Sequence, residues 1–213
     1  KWQVLRDLAT ARDSYTLSDR DITVLQALLS FSPGALIGQA DTGLVVYPSN
    51  QTICDRLNGM PCSTMRRHLA RLIAAGLILR RDSPNGKRFA RRYGAEKVAF
   101  GFDLSPLVHR AREFQEAADT SRHAAELLKR KRLTVSLMRR DLANLAEFGA
   151  SQSANSGNWD RFTDMARLTA RELRRKLNPE ELNTLEEALA AALADVHSQL
   201  EPRKTEELGT SSA

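Results

Sequence analysis

Cysteine, aromatic side chains and long apolar runs are all scarce in this 213-residue sequence, and each scarcity excludes something. Two thiols, Cys54 and Cys62, cannot build a disulfide framework and match no zinc-ligand spacing, so they read as reduced packing residues. No apolar stretch approaches the roughly 18 to 20 residues that span a bilayer, and the first residues lack the apolar core and small-residue site of a secretory signal. The expectation is a cytoplasmic protein with no membrane partner. His68, His109, His123 and His197 are scattered, and neither a Gly-rich phosphate loop ending in Lys-Ser/Thr nor a Gly-x-Ser-x-Gly elbow occurs. Paired acids such as Glu180-Glu181 and Glu186-Glu187 read as helix capping and solvation. These absences point away from catalysis, a bound metal and a cofactor.

What is present is positive charge, concentrated in one place. Between Arg66 and Arg92 stand nine basic residues and one acid, Asp82, a local net of +8 against +6 for the whole chain. The surrounding pattern is helix, turn, helix and basic hairpin. Ser49 offers an N-cap, Ile53 and Leu57 make a one-face apolar pair, and Asn58-Gly59 supplies a stop. After Met60-Pro61, Ser63 can cap a second helix with Met65, Leu69, Leu72 and Ile73 on one side, ended by Gly76. Leu77 to Arg80 and the alternating Val98, Phe100, Phe102, Leu104 read as two strands, with Ser83-Pro84-Asn85-Gly86 as the turn between them.

Three groups of side chains in this module suit a DNA duplex. If Met65, Leu69 and Leu72 turn inward, then Thr64, Arg67, His68 and Arg71 fall at i, i+3, i+4 and i+7 on the outside, where arginine can reach guanine edges. Ser63 and Arg66 complete that candidate recognition helix. Ser49, Asn50, Gln51 and Thr52 open the preceding helix, where free N–H groups suit a phosphate oxygen and where capping is the plainer role. Arg80, Arg81, Asn85, Lys87, Arg88, Arg91 and Arg92 form a candidate wing along the DNA backbone. Charge alone does not exclude an RNA contact.

The rest of the chain reads as helix. Trp2, Leu5, Leu8 and Ala9 mark a short leading helix, and Ser18 with Asp21 makes a variant capping box for a second that stops at Pro33-Gly34. Gly38 to Gly43 reads as loop and Leu44 to Tyr47 as a short strand. Ser105-Pro106 opens a long helix in which Leu107, Phe114, Ser121, Leu128, Val135 and Leu142 recur every seven residues, with Lys131 interrupting the neighbouring seam. That seam supports either a homodimer or packing of the helix back on its own domain. Beyond Gly149 to Asn158, a linker by composition, Phe162 to Leu177 and Leu182 to Val196 make two amphipathic helices, the second opened by Asn178-Pro179-Glu180-Glu181. The expected fold is mainly α with a small β-hairpin: a winged helix-turn-helix domain over 1–104, a long helix over 105–148, a linker over 149–158, a helical hairpin over 159–201 and a mobile tail over 202–213.

Several segments together resemble a known family. They are Lys1-Trp2-Gln3-Val4-Leu5-Arg6-Asp7-Leu8, Leu17-Ser18-Asp19-Arg20-Asp21, Tyr47-Pro48-Ser49-Asn50, the run from Gly76 to Arg92, and Ala99-Phe100-Gly101-Phe102-Asp103-Leu104-Ser105-Pro106. They look like RepC, the replication initiator of bacterial RepABC-type plasmids. The resemblance covers most of the chain. It implies a winged-helix protein that binds its plasmid's replication origin, a double-stranded DNA partner, and starts replication. It also implies segments beyond both ends of this chain, through which host replication proteins would be met. A winged-helix transcriptional regulator bound to a promoter operator is the alternative from the same vocabulary. An origin nickase would need a tyrosine or histidine cluster, and Tyr15, Tyr47 and Tyr93 have no such neighbours in sequence.

Overall fold

The computed structural model describes residues 1–37, 44–94, 96–152 and 158–200. The loop expected at 38–43, the linker residues 153–157 and the tail expected at 202–213 lie outside the described residues. The chain is mainly helical with a small antiparallel sheet of four strands, and it divides into two compact units after His123.

The first unit begins with α1 (Trp2–Thr10), a 3-10 turn (Arg12–Tyr15) and α2 (Asp19–Ser30). Helix α2 starts at a reciprocal capping box: the Asp21 amide donates to Ser18 Oγ at 3.3 Å and the Ser18 amide donates to Asp21 Oδ2 at 2.7 Å. Strand β1 (Val45–Val46), α3 (Asn50–Arg56) and α4 (Cys62–Ala74) follow. Ser49 caps α3, accepting the Thr52 amide at 3.0 Å, and the helix unwinds through left-handed Asn58 and Gly59. Helix α4 starts earlier than a Ser63 cap would place it. Pro61 holds the cap position and its carbonyl takes the Met65 amide, so Ser63 lies within the first turn.

One core joins these helices. Val24, Leu25, Leu28 and Leu29 of α2 are fully buried or nearly so against Ile53 of α3 and Met65, Leu69 and Leu72 of α4. Burying each such side chain contributes on the order of 1.5–3 kcal/mol before entropy is counted. Leu77, Ile78, Phe102, Leu104, Leu107 and Phe114 complete the cluster.

The sheet differs from a plain hairpin. Strands β2 (Leu79–Arg81) and β3 (Phe89–Tyr93) both run antiparallel to β4 (Glu96–Asp103), with Arg81 opposite Gly101 and Phe89 opposite Phe100. Two successive positions of β4 are thus served by residues 81 and 89. The segment 82–88, including Ser83-Pro84-Asn85-Gly86, is extruded between them, and the chain reverses after Tyr93, where Gly94 has φ +60°. Strand β3 escapes the sequence pattern because the adjacent pair Arg91 and Arg92 is polar on both faces and interrupts the every-second-residue apolar alternation. On its other edge β4 pairs with β1, Val46 opposite Phe102. Gly101 is required there, since a Cβ at that position would collide with the Val46 carbonyl.

After β4 the expected unbroken helix is interrupted. Helix α5 (Ser105–His109) ends at Arg110, and α6 (Ala111–Gln152) starts anew. Leu104 holds the cap position, and the Ser105 amide is met by Asp103 Oδ1 at 2.8 Å. At the break the Arg110 guanidinium donates to the carbonyls of Ala75 and Gly76 at the end of α4, and to Glu113.

The second unit packs the later part of α6 with α7 (Trp159–Glu172) and α8 (Pro179–Leu200). Val135 and Leu142 of the seven-residue seam are fully buried here with Trp159, Phe162, Leu182 and Leu189, while Leu107 and Phe114 belong to the first unit's core. The seam is filled within each unit, and Lys131 is accommodated by an ion pair with Glu186 at 2.9 Å. Gly149 to Gln152, linker-like in composition, continue α6. Gly149 fits because a side chain there would enter the ring of Trp159, so the glycine serves helix packing rather than flexibility. Asn178 and Glu181 cap α8 reciprocally at 2.7 and 2.8 Å.

Candidate nucleic-acid interface

Helix α4 presents a polar face, rotated from the one its arginines suggest. His68 was expected outside with Thr64, Arg67 and Arg71; it is instead buried, and its Nδ1 donates to Asp21 Oδ1 at 2.7 Å. The reason lies in the spacing. His68 stands at i+3 from Met65 and so shares the inward face with Leu69 and Leu72. The buried capping-box carboxylate of α2 receives the Nδ1 side of the ring, and His68 Nε2 has no hydrogen-bond partner among the described residues.

Arg71 follows the same side of the helix. Its guanidinium lies 3.3 Å from Asp21 Oδ2 and donates to the Thr16 carbonyl. Burial pushes the Asp21 carboxyl up, but hydrogen bonds from Ser18 and His68 and the Arg71 charge outweigh that and hold it below the ordinary carboxylate value. The exposed face is therefore Ser63, Arg66, Arg67 and Ala70, at i, i+3, i+4 and i+7, with Thr64 half-buried at its edge. No carboxylate pairs with Arg66 or Arg67 among the described residues.

The first turn of α3 is largely engaged in its own structure. Ser49 and Thr52 share the cap through hydroxyls 2.8 Å apart, Gln51 donates to Asp55, and the Asn50 amide oxygen accepts from Arg88 at 2.8 Å. Arg88 also donates to the Pro48 carbonyl at 2.8 Å and lies over the Phe102 ring. It latches the extruded loop to α3 and is half-buried. Burial lowers its pKa, and the neighbouring charge of Arg80 adds to the effect.

The remaining loop and hairpin cations divide in the same way. Arg80 pairs with Asp82 at 2.6 Å, and Arg81 reaches the buried Asp103 with two nitrogens at 2.6 and 2.8 Å. Asn85 orders the loop by accepting from Ser83 and from the Lys87 amide. Lys87 is exposed without an ion-pair partner among the described residues, Arg91 lies over Tyr93, and Arg92 is exposed. Arg66, Arg67 and Lys87 are exposed with no acidic partner among the described residues, whereas His68 is buried, Arg88 is half-buried, and Arg71 and Arg81, though exposed, are held by the buried carboxylates of Asp21 and Asp103. Sequence reasoning missed Asp21 and Asp103, the acids that organise those contacts. The signal for Asp21 was its place in a capping box that also faces the α4 helix.

Comparison with known proteins decides the lineage. The family model "Replication protein C N-terminal domain" matches residues 1–150. The chain belongs to this family. A Sinorhizobium fredii protein (strain NBRC 101917 / NGR234), provisionally named replication protein C, is 41% identical over 162 residues, covering 75% of this chain and 40% of that protein. A similarly named protein of Rhizobium rhizogenes is 38% identical over 161 residues, covering 75% of this chain and 39% of its own length. The chain thus aligns with well under half of these curated relatives. No solved structure matches it. No helix among the described residues is long and apolar enough to cross a membrane.

Proposed function

We propose that this chain is the origin-binding part of a plasmid replication initiator, built as a winged helix in which α4 enters the major groove and the loop and hairpin of β2 to β4 form the wing. The observation that carries this reading is the exposed face of α4, where Arg66 and Arg67 stand near the helix N-terminus without carboxylate partners among the described residues. Arginines at that position reach base edges in helices of this kind. Ser63 and Thr64 flank them, and Lys87, Arg91 and Arg92 supply backbone contacts. Asp21, His68 and Arg71 set the roll of α4, and Arg88 sets the loop. Family membership supports a replication role. Host replication proteins would be reached through parts of the relatives that this chain does not cover.

The mechanism is binding without turnover. Phosphate contacts by Lys87, Arg91 and Arg92 contribute about −3 to the slope of log K against log salt, from about 0.9 per phosphate. Affinity for an origin duplex measured across a salt series tests this, and a slope near zero would sink it. Preference for a promoter operator over the origin duplex would transfer the reading to a transcriptional regulator. Supercoiled origin plasmid incubated with magnesium should yield no nicked product.

A further inference from the structure

A second concentration of positive charge lies in the other unit. Residues 129–132 of α6 read Lys-Arg-Lys-Arg, and residues 167–176 carry Arg167, Arg171, Arg174, Arg175 and Lys176; together that is nine bases and one acid, Glu172. The fold brings the two runs together. The Arg132 guanidinium donates to the carbonyls of Leu173 and Arg175 just beyond α7, and Leu128, Leu173 and Leu177 share one apolar cluster.

Some of these cations have evident structural work. Arg132 satisfies the free carbonyls at the end of α7. Lys131 pairs with Glu186, Arg130 with Glu126, Arg167 with Asp164 and Arg175 with Glu172. Lys129, Arg171, Arg174 and Lys176 are exposed and have no acidic partner among the described residues. A helix C-terminus favours a nearby cation by only about 0.3–1 kcal/mol, and Arg132 and Arg175 already stand there. Four further like charges at one place raise the local potential and call for a polyanion.

We propose that this junction of α6 and α7 is a second phosphate-binding surface, which grips the backbone of duplex DNA without reading its sequence. The proposal rests on the reading of the chain as a DNA binder. That reading also selects the polyanion: arginine and lysine without a recognition-helix face suit phosphate oxygens rather than base edges.

The test uses the full chain and a duplex of unrelated sequence. Lys129→Gln, Arg174→Gln and Lys176→Gln combined should leave the thermal melt near wild type, lower affinity by roughly one to two orders of magnitude at about 0.1 M salt, and flatten the salt slope by about 2 to 3. The charge-keeping set Lys129→Arg, Arg174→Lys, Lys176→Arg should retain both. Arg66→Gln with Arg67→Gln serves as the second arm, read on the origin duplex. If the glutamine triple leaves affinity and slope unchanged while the α4 pair weakens origin binding, the second surface falls and the proposed function stands. If only the triple has an effect, the α4 interface falls instead. Loss of binding to phosphatidylcholine vesicles containing phosphatidylserine, with DNA binding intact, would reassign the surface to lipid. A wild-type chain that binds no duplex overturns both proposals.

Discussion

The two basic regions carry the same ratio of charges, nine bases to one acid, yet they are held in different ways. Around α4 and the sheet, two buried carboxylates, Asp21 and Asp103, draw Arg71 and Arg81 into fixed positions, and a latch of carbonyl, amide and ring fixes Arg88. At the junction of α6 and α7 the ordering partners are backbone carbonyls and exposed glutamates. Buried acids cost desolvation and are worth keeping where orientation matters. On the proposed reading as a DNA binder, charge density marks where a polyanion is met, while buried partners mark where its position is specified.

Removing a buried acid should break that distinction most severely. Asp21→Ala deletes the capping box of α2 and leaves His68 and Arg71 without their carboxylate, so a loss of about 3–5 kcal/mol is expected. Urea denaturation measures it. The sign with pH follows from the lowered carboxyl of Asp21: its contribution is complete above the ordinary aspartate value of about 3.9 and is lost as pH falls through the lower value in the folded state. The stability gap between wild type and Asp21→Ala should therefore narrow with acidification below about pH 3.9. A gap that stays constant would show that Asp21 acts through its shape alone.

The exposed face of α4 comes next in size. Arg67→Ala should cost about 1–3 kcal/mol in binding to the origin duplex and relax preference at one base pair, with stability unchanged. Anisotropy titrations on the origin and on single-base variants would separate the two effects. A uniform loss on all sequences would make Arg67 a phosphate contact and move the sequence-reading role to its neighbour Arg66.

Much of this arrangement was legible because local chemistry determined it. The capping pairs Ser18 with Asp21 and Asn178 with Glu181, the Asn58-Gly59 stop and the period of α4 depend on a few adjacent residues. The family-like string around Gly101 also becomes physical: Gly101 admits the Val46 carbonyl, Phe102 underlies Arg88, and Asp103 binds Arg81 and the Ser105 amide. What escaped depended on distant partners. The spacing of His68 from Met65 already points it inward, but what lets a histidine be buried there is Asp21, 47 positions earlier, which no local pattern reveals. The extruded 82–88 segment reads as an ordinary hairpin turn until the register of β4 against both β2 and β3 is known. Arg88 reads as a wing cation until Pro48 and Asn50 appear as its acceptors.

Arg88→Ala sharpens the same contrast at smaller scale. It removes two hydrogen bonds to Pro48 and Asn50 and the stack on Phe102, for a stability loss of about 1–2 kcal/mol. Amide exchange at residues 82–88 should accelerate while α4 stays protected. Equal acceleration in α4 would mean that the latch supports the whole module and not the loop alone.

The smallest effect belongs to the region without buried acids. Lys129→Gln removes one exposed cation that has no acidic partner among the described residues, so the folded state should be indifferent and the salt slope should flatten by about 0.9. Because a backbone contact carries no base information, the loss should be the same on origin and unrelated duplexes. The ratio of the two affinities is then the decisive quantity. If Lys129→Gln changes that ratio as Arg67→Ala is expected to, the α6–α7 junction helps to choose sequence, and the division between a preorganised reading face and a general phosphate grip no longer holds.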